Sequence, residues 1–304
     1  LTAKQVADVV AYLCARYPHK SELSNARLTK LVYLADWKSV QDSGSQVTSI
    51  EWVFNNYGPW VPDVIDAAGK DNRFKITTGI NAYGSPRTTV TLKPEFATAV
   101  DSAIDARTSK VLDLVIAETE GMYFNPFIRY VYDTFPVRTT PKGAPLPLES
   151  IAGEHPEARA PLPHAVLDEV LTAEEYVFSR NQLMQSVADR LFDSDWLRRT
   201  DPRVQGAHDA LPGLTVRAIT LDPDLQATRT PEGVSITTRG TIDAGAEVAP
   251  GAVPPTGYTV DEEDSDAWSN TVRARLPLSV EARLLTKGTT RSLRLTAVSV
   301  RLAA

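Results

Sequence analysis

The sequence predicts an α+β protein of two domains, and three observations lead there. Helical periodicity dominates the first 140 residues; the stretch from 139 to 164 holds six prolines and no apolar periodicity; from Leu214 onward the apolar period changes from 3.6 to 2. The expected organisation is a mostly helical domain with a β-hairpin over residues 1–140, a proline-rich linker over 141–164, and a helix plus antiparallel sheet over 165–304. A chain of 304 residues with 42% apolar side chains can supply a core for each domain.

The first helix is marked by Val6, Val9, Val10, Leu13, Cys14 and Tyr17, which recur on one face and stop at Pro18. Cys14 sits in that stripe and reads as a small buried hydrophobe. Ser24 is placed to cap a second helix whose inner face carries Leu28, Leu31, Val32 and Ala35, and Gly44 is placed to end it. The segment NNYGPWVPD at 55–63 reads as a turn in which Gly58 allows an unusual backbone angle and Pro62 opens a short helix. FKITTGINAYGSPRTTVTL then offers two strand-like runs around Gly-Ser-Pro, hence a hairpin. Two helices follow, the last with Asn125 as cap and Pro126 at its first position.

Beyond the prolines, Thr172 and Glu175 form a capping box, with Leu171 and Tyr176 spaced as a hydrophobic staple, for a helix reaching about Phe192. In TVRARLPLSVEARLL the apolar set Val272, Ala274, Leu276, Leu278, Val280, Ala282 and Leu284 alternates with polar residues, so one face is buried and one wet. Pro277, on the wet face, cannot donate to a ladder, which predicts an edge or a bulge there. SLRLTAVSVRL, reached through a turn at Lys287-Gly288, changes phase between Ala297 and Val298, a second bulge signal. LTVRAITL and GVSITTRGTI complete at least four strands. Residues 245–270 read as a long loop with an acidic run from Asp261 to Asp266.

Net charge is −6, and all of it lies in the second half. Residues 1–140 carry 15 Lys+Arg against 15 Asp+Glu, and residues 141–304 carry 17 against 23. Neither part has the cationic excess that drives nucleic-acid binding, so nucleic acid is not an expected partner. No apolar run is long enough for a membrane span, and the start LTAKQVADVV lacks the sections of a secretory signal. One cysteine excludes an internal disulfide, and a reducing cytoplasm is the expected location. No phosphate loop, dinucleotide fingerprint, nucleophile elbow or zinc-helix motif occurs, and His19, His155, His164 and His208 have no metal-pair spacing. No enzyme activity, catalytic residue, cofactor or metal is therefore expected.

The order of elements carries the remaining signal. K-L-V-Y-L-A-D at 30–36, the block from Glu51-Trp52 to Tyr57-Gly58-Pro59, a hairpin, and SKVLDLVIAETEGMYFNPFIRYVYDTFPV resemble the Panacea domain over residues 4 to about 140. That family includes the SocA-like antitoxins of bacterial toxin–antitoxin pairs, and its members often carry His where Tyr132 stands. The resemblance implies a protein-binding module whose partner is a cognate protein toxin, with neutralisation by direct contact. An adaptor that delivers the toxin to a protease is also implied by one relative.

The expected partner-binding residues are Trp60, Tyr57, Gly58, Pro59, Trp52 and Phe54, because aromatic side chains near turns supply binding hot spots. Each has a packing role as well: Trp52 and Tyr57 favour the core, and Trp60 could face either way. Backbone N–H groups at the helix start after Trp60 could receive a partner's carboxylate. A DNA-binding regulator is the competing reading, since two helices and a hairpin resemble a winged helix with Arg73, Lys75, Arg87 and Lys93 on the wing. Self-association into a homo-oligomer is left open.

Overall fold

The computed structural model describes residues 2–80, 84, 86–192, 196–201, 211, 213–250, 253–254, 256–261, 269–287 and 292–302. It is α+β and divides into two units, Leu1–Leu162 and Pro163–Ala304. No helix among the described residues is long and apolar enough to cross a membrane.

In the first unit, α1 (Thr2–Arg16) buries Val6, Val9, Val10, Leu13 and Cys14, with Tyr17 just past its end, which is the stripe the sequence marks. Helix α2 (Asn25–Ser43) starts where the Ser24 side chain accepts a hydrogen bond from the Arg27 N–H. It stops where Gly44 takes a left-handed φ of 81°, a conformation open to glycine at small cost. Buried residues lie all round α2, including Arg27, Lys30 and Asp36, so it runs through the unit rather than along its surface.

Strands β1 (Trp52–Asn55) and β2 (Gly58–Pro59) form a tight hairpin, followed by α3 (Asp63–Lys70). The second hairpin is β3 (Phe74–Ile80) with β4 (Pro86–Leu92), as the sequence predicts; its tip at 81–83 and 85 lies outside the described residues. Helix α4 (Ala106–Thr119) is capped by Asp105, whose carboxylate accepts from the N–H groups of Arg107 and Thr108. Helix α5 (Phe124–Tyr132) begins at Tyr123 as cap, two residues before the expected Asn125. Pro126 is still tolerated, since no N–H in the first turn has a partner within the helix. A short α6 (Phe135–Thr139) follows.

The proline-rich segment is not an extended spacer in the structure. Residues 141–162 fold onto the first unit: β5 (Pro145–Leu146) pairs antiparallel with Trp52 and Val53, and α7 (Leu148–Glu154) buries Leu148 and Ala152 against α2. Prolines suit this path because a two-residue edge strand needs few donors, and the apolar Leu146, Leu148 and Leu162 anchor it between them. The boundary falls at 162/163.

The second unit opens with α8 (His164–Leu167) and α9 (Ala173–Leu191), whose capping box is present as expected, with both Leu171 and Tyr176 buried. After α10 (Trp196–Thr200) come β6 (Thr215–Leu221), β7 (Gln226–Thr230), β8 (Gly233–Val248), β9 (Thr259–Asp261), β10 (Asn270–Lys287) and β11 (Ser292–Leu302). They form one antiparallel sheet ordered β11-β10-β8-β6, with β7 on β8 and β9 on β10. Helix α9 packs on β11 and β6, turning Tyr176, Leu183, Val187 and Leu191 inward.

All seven apolar residues expected on the inner face of β10 are buried. Pro277 pairs with Thr241 of β8 in an unbroken register, so no bulge forms there. On the opposite side β9 pairs only as far as Arg273 and β11 begins at Leu278, and Pro277 occupies the unpaired interval. The bulge in β11 lies one residue from its expected place: the partners of Arg283 and Leu284 are Ala297 and Leu295, which skips Thr296. The long loop expected at 245–270 is shorter, since β8 continues to Val248 and β9 occupies 259–261. Small residues Ala244, Gly245 and Ala246 hide that continuation from any pattern of large apolar side chains. Of the acidic run only Asp261 is described, ion-paired with Arg273; the rest of that run and Gly288 of the turn lie outside the described residues.

Candidate binding site around Gly58

The K-L-V-Y-L-A-D segment lies on α2, and its last residue organises the region. Asp36 is fully enclosed, and its carboxylate accepts from the Thr48 N–H at 2.7 Å, the Thr48 hydroxyl at 2.5 Å and the Trp52 indole N–H at 2.8 Å. Burial pushes its pKa up from 3.8 to about 6, with the Thr48 and Trp52 donors pulling the other way. One carboxyl thus ties α2 to the entry of β1. Tyr33, one turn before Asp36, stands edge-on to Trp52 at 5.5 Å and shares a 2.9 Å hydrogen bond with the Thr134 hydroxyl.

Strand β1 leads from Trp52 to the hairpin tip. Phe54 pairs with Pro59 and Asn55 with Gly58, leaving Asn56 and Tyr57 at the turn. The Trp60 N–H donates to the Val53 carbonyl at 3.0 Å, and the Gly143 N–H to the Phe54 carbonyl at 2.6 Å. Gly58 has φ 92°, and a side chain there would meet the Tyr132 ring at 3.0 Å and Lys30 Cε at 3.4 Å. Glycine is required twice over, by the backbone angle and by the close approach.

Lys30 lies beneath this point and is 2% exposed. Burial lowers its pKa from 10.5 to about 8. Arg27, one turn earlier on α2, is buried with a full set of partners: the Tyr17 hydroxyl, the Met122 carbonyl, Glu22, and the Phe127 ring 4.6 Å below its guanidinium. Tyr132 closes the other side of the hairpin, its ring edge-on to Phe54 at 5.9 Å and its hydroxyl 3.5 Å from the Asn56 carbonyl.

Of the expected partner-binding residues, Trp52 and Phe54 are buried, as are Gly58 and Pro59; they shape the hairpin and expose almost no surface. Trp60 is half-buried. Tyr57, expected to favour the core, is 81% exposed, because a two-residue hairpin tip points its side chain away from both strands. Helix α3 starts at Asp63 and carries Asp66 as well, so the chain's own carboxylates already occupy its first turn. Lys30, Asp36 and Tyr132 are not among the residues the sequence marks for partner binding. The signal for two of them was a charged residue at each end of an otherwise apolar heptamer, Lys30 and Asp36.

Residues 28–135 match the antitoxin SocA-like, Panacea domain family model. The matched segment runs from α2 to the first residue of α6, a little over a third of the chain, and contains the whole Lys30–Gly58–Tyr132 arrangement. It omits α1, β5 and α7, which pack against it in the same unit. No curated protein and no solved structure matches the chain.

Proposed function

We propose that this protein is an antitoxin, without enzymatic activity, that neutralises a cognate protein toxin by direct binding. The observation that carries the reading is the match of residues 28–135 to the SocA-like Panacea domain. The surface of that segment supports it. Tyr57 stands exposed at the tip of a hairpin fixed on both sides, Trp60 is half-buried beside it, and Trp52, Phe54, Gly58 and Pro59 hold them in place. An aromatic side chain on a fixed backbone has only two torsions to order on binding, which suits a hot spot.

The DNA-binding alternative loses support at the hairpin of β3 and β4. Arg73 is ion-paired with Asp8 and Asp71, Arg87 donates to the Ser21 carbonyl, and Lys93 donates to the Asn72 carbonyl. Three of the four cations assigned to the wing are engaged within the unit.

The test is co-expression with the product of the adjacent gene. A product that arrests growth alone, growth restored by this protein, and co-elution of the two proteins are the expected results. Undiminished arrest in the presence of this protein would refute the reading.

A further inference from the structure

Among the described residues, no side-chain nitrogen or oxygen that is fully enclosed lacks a hydrogen bond. Lys30 has no hydrogen-bond or ion-pair partner among the described residues, so its ammonium keeps a small opening to solvent although the residue is 2% exposed. A cation so deeply placed normally carries its own counter-charge, as Arg27 does with Glu22. The side chain runs beneath Gly58, the one position of the hairpin without a Cβ, and Tyr132 flanks that point. The exposed charges nearest Tyr132 in the chain are Arg129 on α5 and Asp133 just past its end, one of each sign.

Beside these charges runs an apolar stripe. Phe124, Ile128 and Tyr132 recur at i, i+4 and i+8 along α5, one side of the helix over about 12 Å. Phe124 is 49% exposed. At the far end Tyr132 reaches the Asn56 carbonyl in the turn that displays Tyr57.

We propose that Lys30 is the anchor for a carboxylate of the bound protein, an Asp or Glu side chain that meets the ammonium at its opening beside the Gly58–Tyr132 contact while its flanking apolar residues cover Tyr57 and the Phe124–Ile128–Tyr132 stripe. This rests on the antitoxin reading for the identity of the partner, though the site itself does not. The missing counter-charge argues for an anionic group. A single ammonium offers one point of attachment, enough for one carboxylate oxygen, whereas phosphate sites gather several donors. The charge balance of residues 1–140, 15 cationic against 15 anionic, supplies no general field for a polyanion. Before binding, the uncompensated amine costs stability, so the site is one where stability is exchanged for recognition.

Two measurements on the full chain test it. In the first, acetate, acetamide and inorganic phosphate are titrated while the Lys30 side-chain ammonium is followed by NMR, assigned from its loss in Lys30→Met. A saturable shift with acetate is expected, with none from acetamide, a weaker response to phosphate, and only small unsaturated drifts at other lysines. In the second, Lys30→Met is compared with wild type for thermal stability and for affinity to the toxin found by co-expression. The variant should melt at the same or a higher temperature and bind at least tenfold more weakly. No saturable acetate response, a stronger response to phosphate, wild-type affinity in Lys30→Met, or failure of that variant to fold would each overturn the proposal. If wild type itself does not neutralise the toxin, the antitoxin reading falls, and the acetate titration still decides the anchor.

Discussion

Asp36 in α2 and Leu276 in β10 are both fully shielded from solvent, yet they hold their units together by different means. Asp36 does so by accepting hydrogen bonds from Thr48 and Trp52, which lie 12 and 16 residues away. Leu276 belongs to a row of apolar side chains on one face of a sheet and needs only that its neighbours keep the same phase. A polar hub of this kind depends on geometry at a few atoms, while an alternating face depends on bulk and register. The first unit should therefore respond sharply to a change of chemistry and the second to a change of volume.

Substituting the two residues gives the largest test. Asp36→Ala leaves enclosed donors of Thr48 and Trp52 without an acceptor and should cost about 4 kcal/mol. Leu276→Ala should cost about 3 kcal/mol through lost burial and the cavity left behind. Asp36→Asn separates them further, because it keeps volume while turning an amide N–H toward existing donors. Urea unfolding followed by tryptophan fluorescence measures all three. An Asp36→Asn variant as stable as wild type would break the comparison.

The second test is pH. The Asp36 pKa is raised from 3.8 to about 6 in the folded protein, so folding binds a proton between those values. The associated stability is fully present below about pH 3.8 and is lost as pH rises through about 6. A shift of that size corresponds to about 3 kcal/mol. Asp71 and Asp105, whose pKa values are lowered by hydrogen bonds from Arg73 and from Thr108, act in the opposite sense. The quantity to measure is thus the stability difference between wild type and Asp36→Asn across pH 4–7, which should shrink with rising pH. A difference independent of pH would contradict the assignment.

Smaller effects sharpen the contrast. Gly58→Ala should cost about 2 kcal/mol, from the left-handed φ and the tight approach to Tyr132, read from the denaturation midpoint. Thr172→Ala in the second unit removes one arm of the capping box and should cost about 1 kcal/mol. Cys14, enclosed and pushed up to about 12, should resist a thiol reagent at neutral pH until the first unit unfolds.

The same contrast explains what could be read in the sequence. The seven inner residues of β10, the stripe of α1, the Ser24 and Gly44 ends of α2 and the Thr172–Glu175 box are local or strictly periodic, so spacing alone reveals them. The folding of residues 141–162 onto the first unit was hidden, because prolines interrupt periodicity without preventing an edge strand. The exposure of Tyr57 is hidden for a related reason: its side-chain direction follows from the hairpin register, which joins Asn55 to Gly58 and has no trace in composition. Lys30 was invisible as a site residue because its lack of a partner is a fact about three-dimensional neighbours.

The most direct measurement is isothermal titration of the full chain with the purified toxin, comparing Tyr57→Ala with Arg275→Ala, an exposed position on the wet face of β10. Tyr57→Ala should weaken binding tenfold or more with little change in stability, and Arg275→Ala should stay within twofold of wild type. Loss of affinity in Arg275→Ala with wild-type binding by Tyr57→Ala would contradict the account, moving the decisive contact out of residues 28–135.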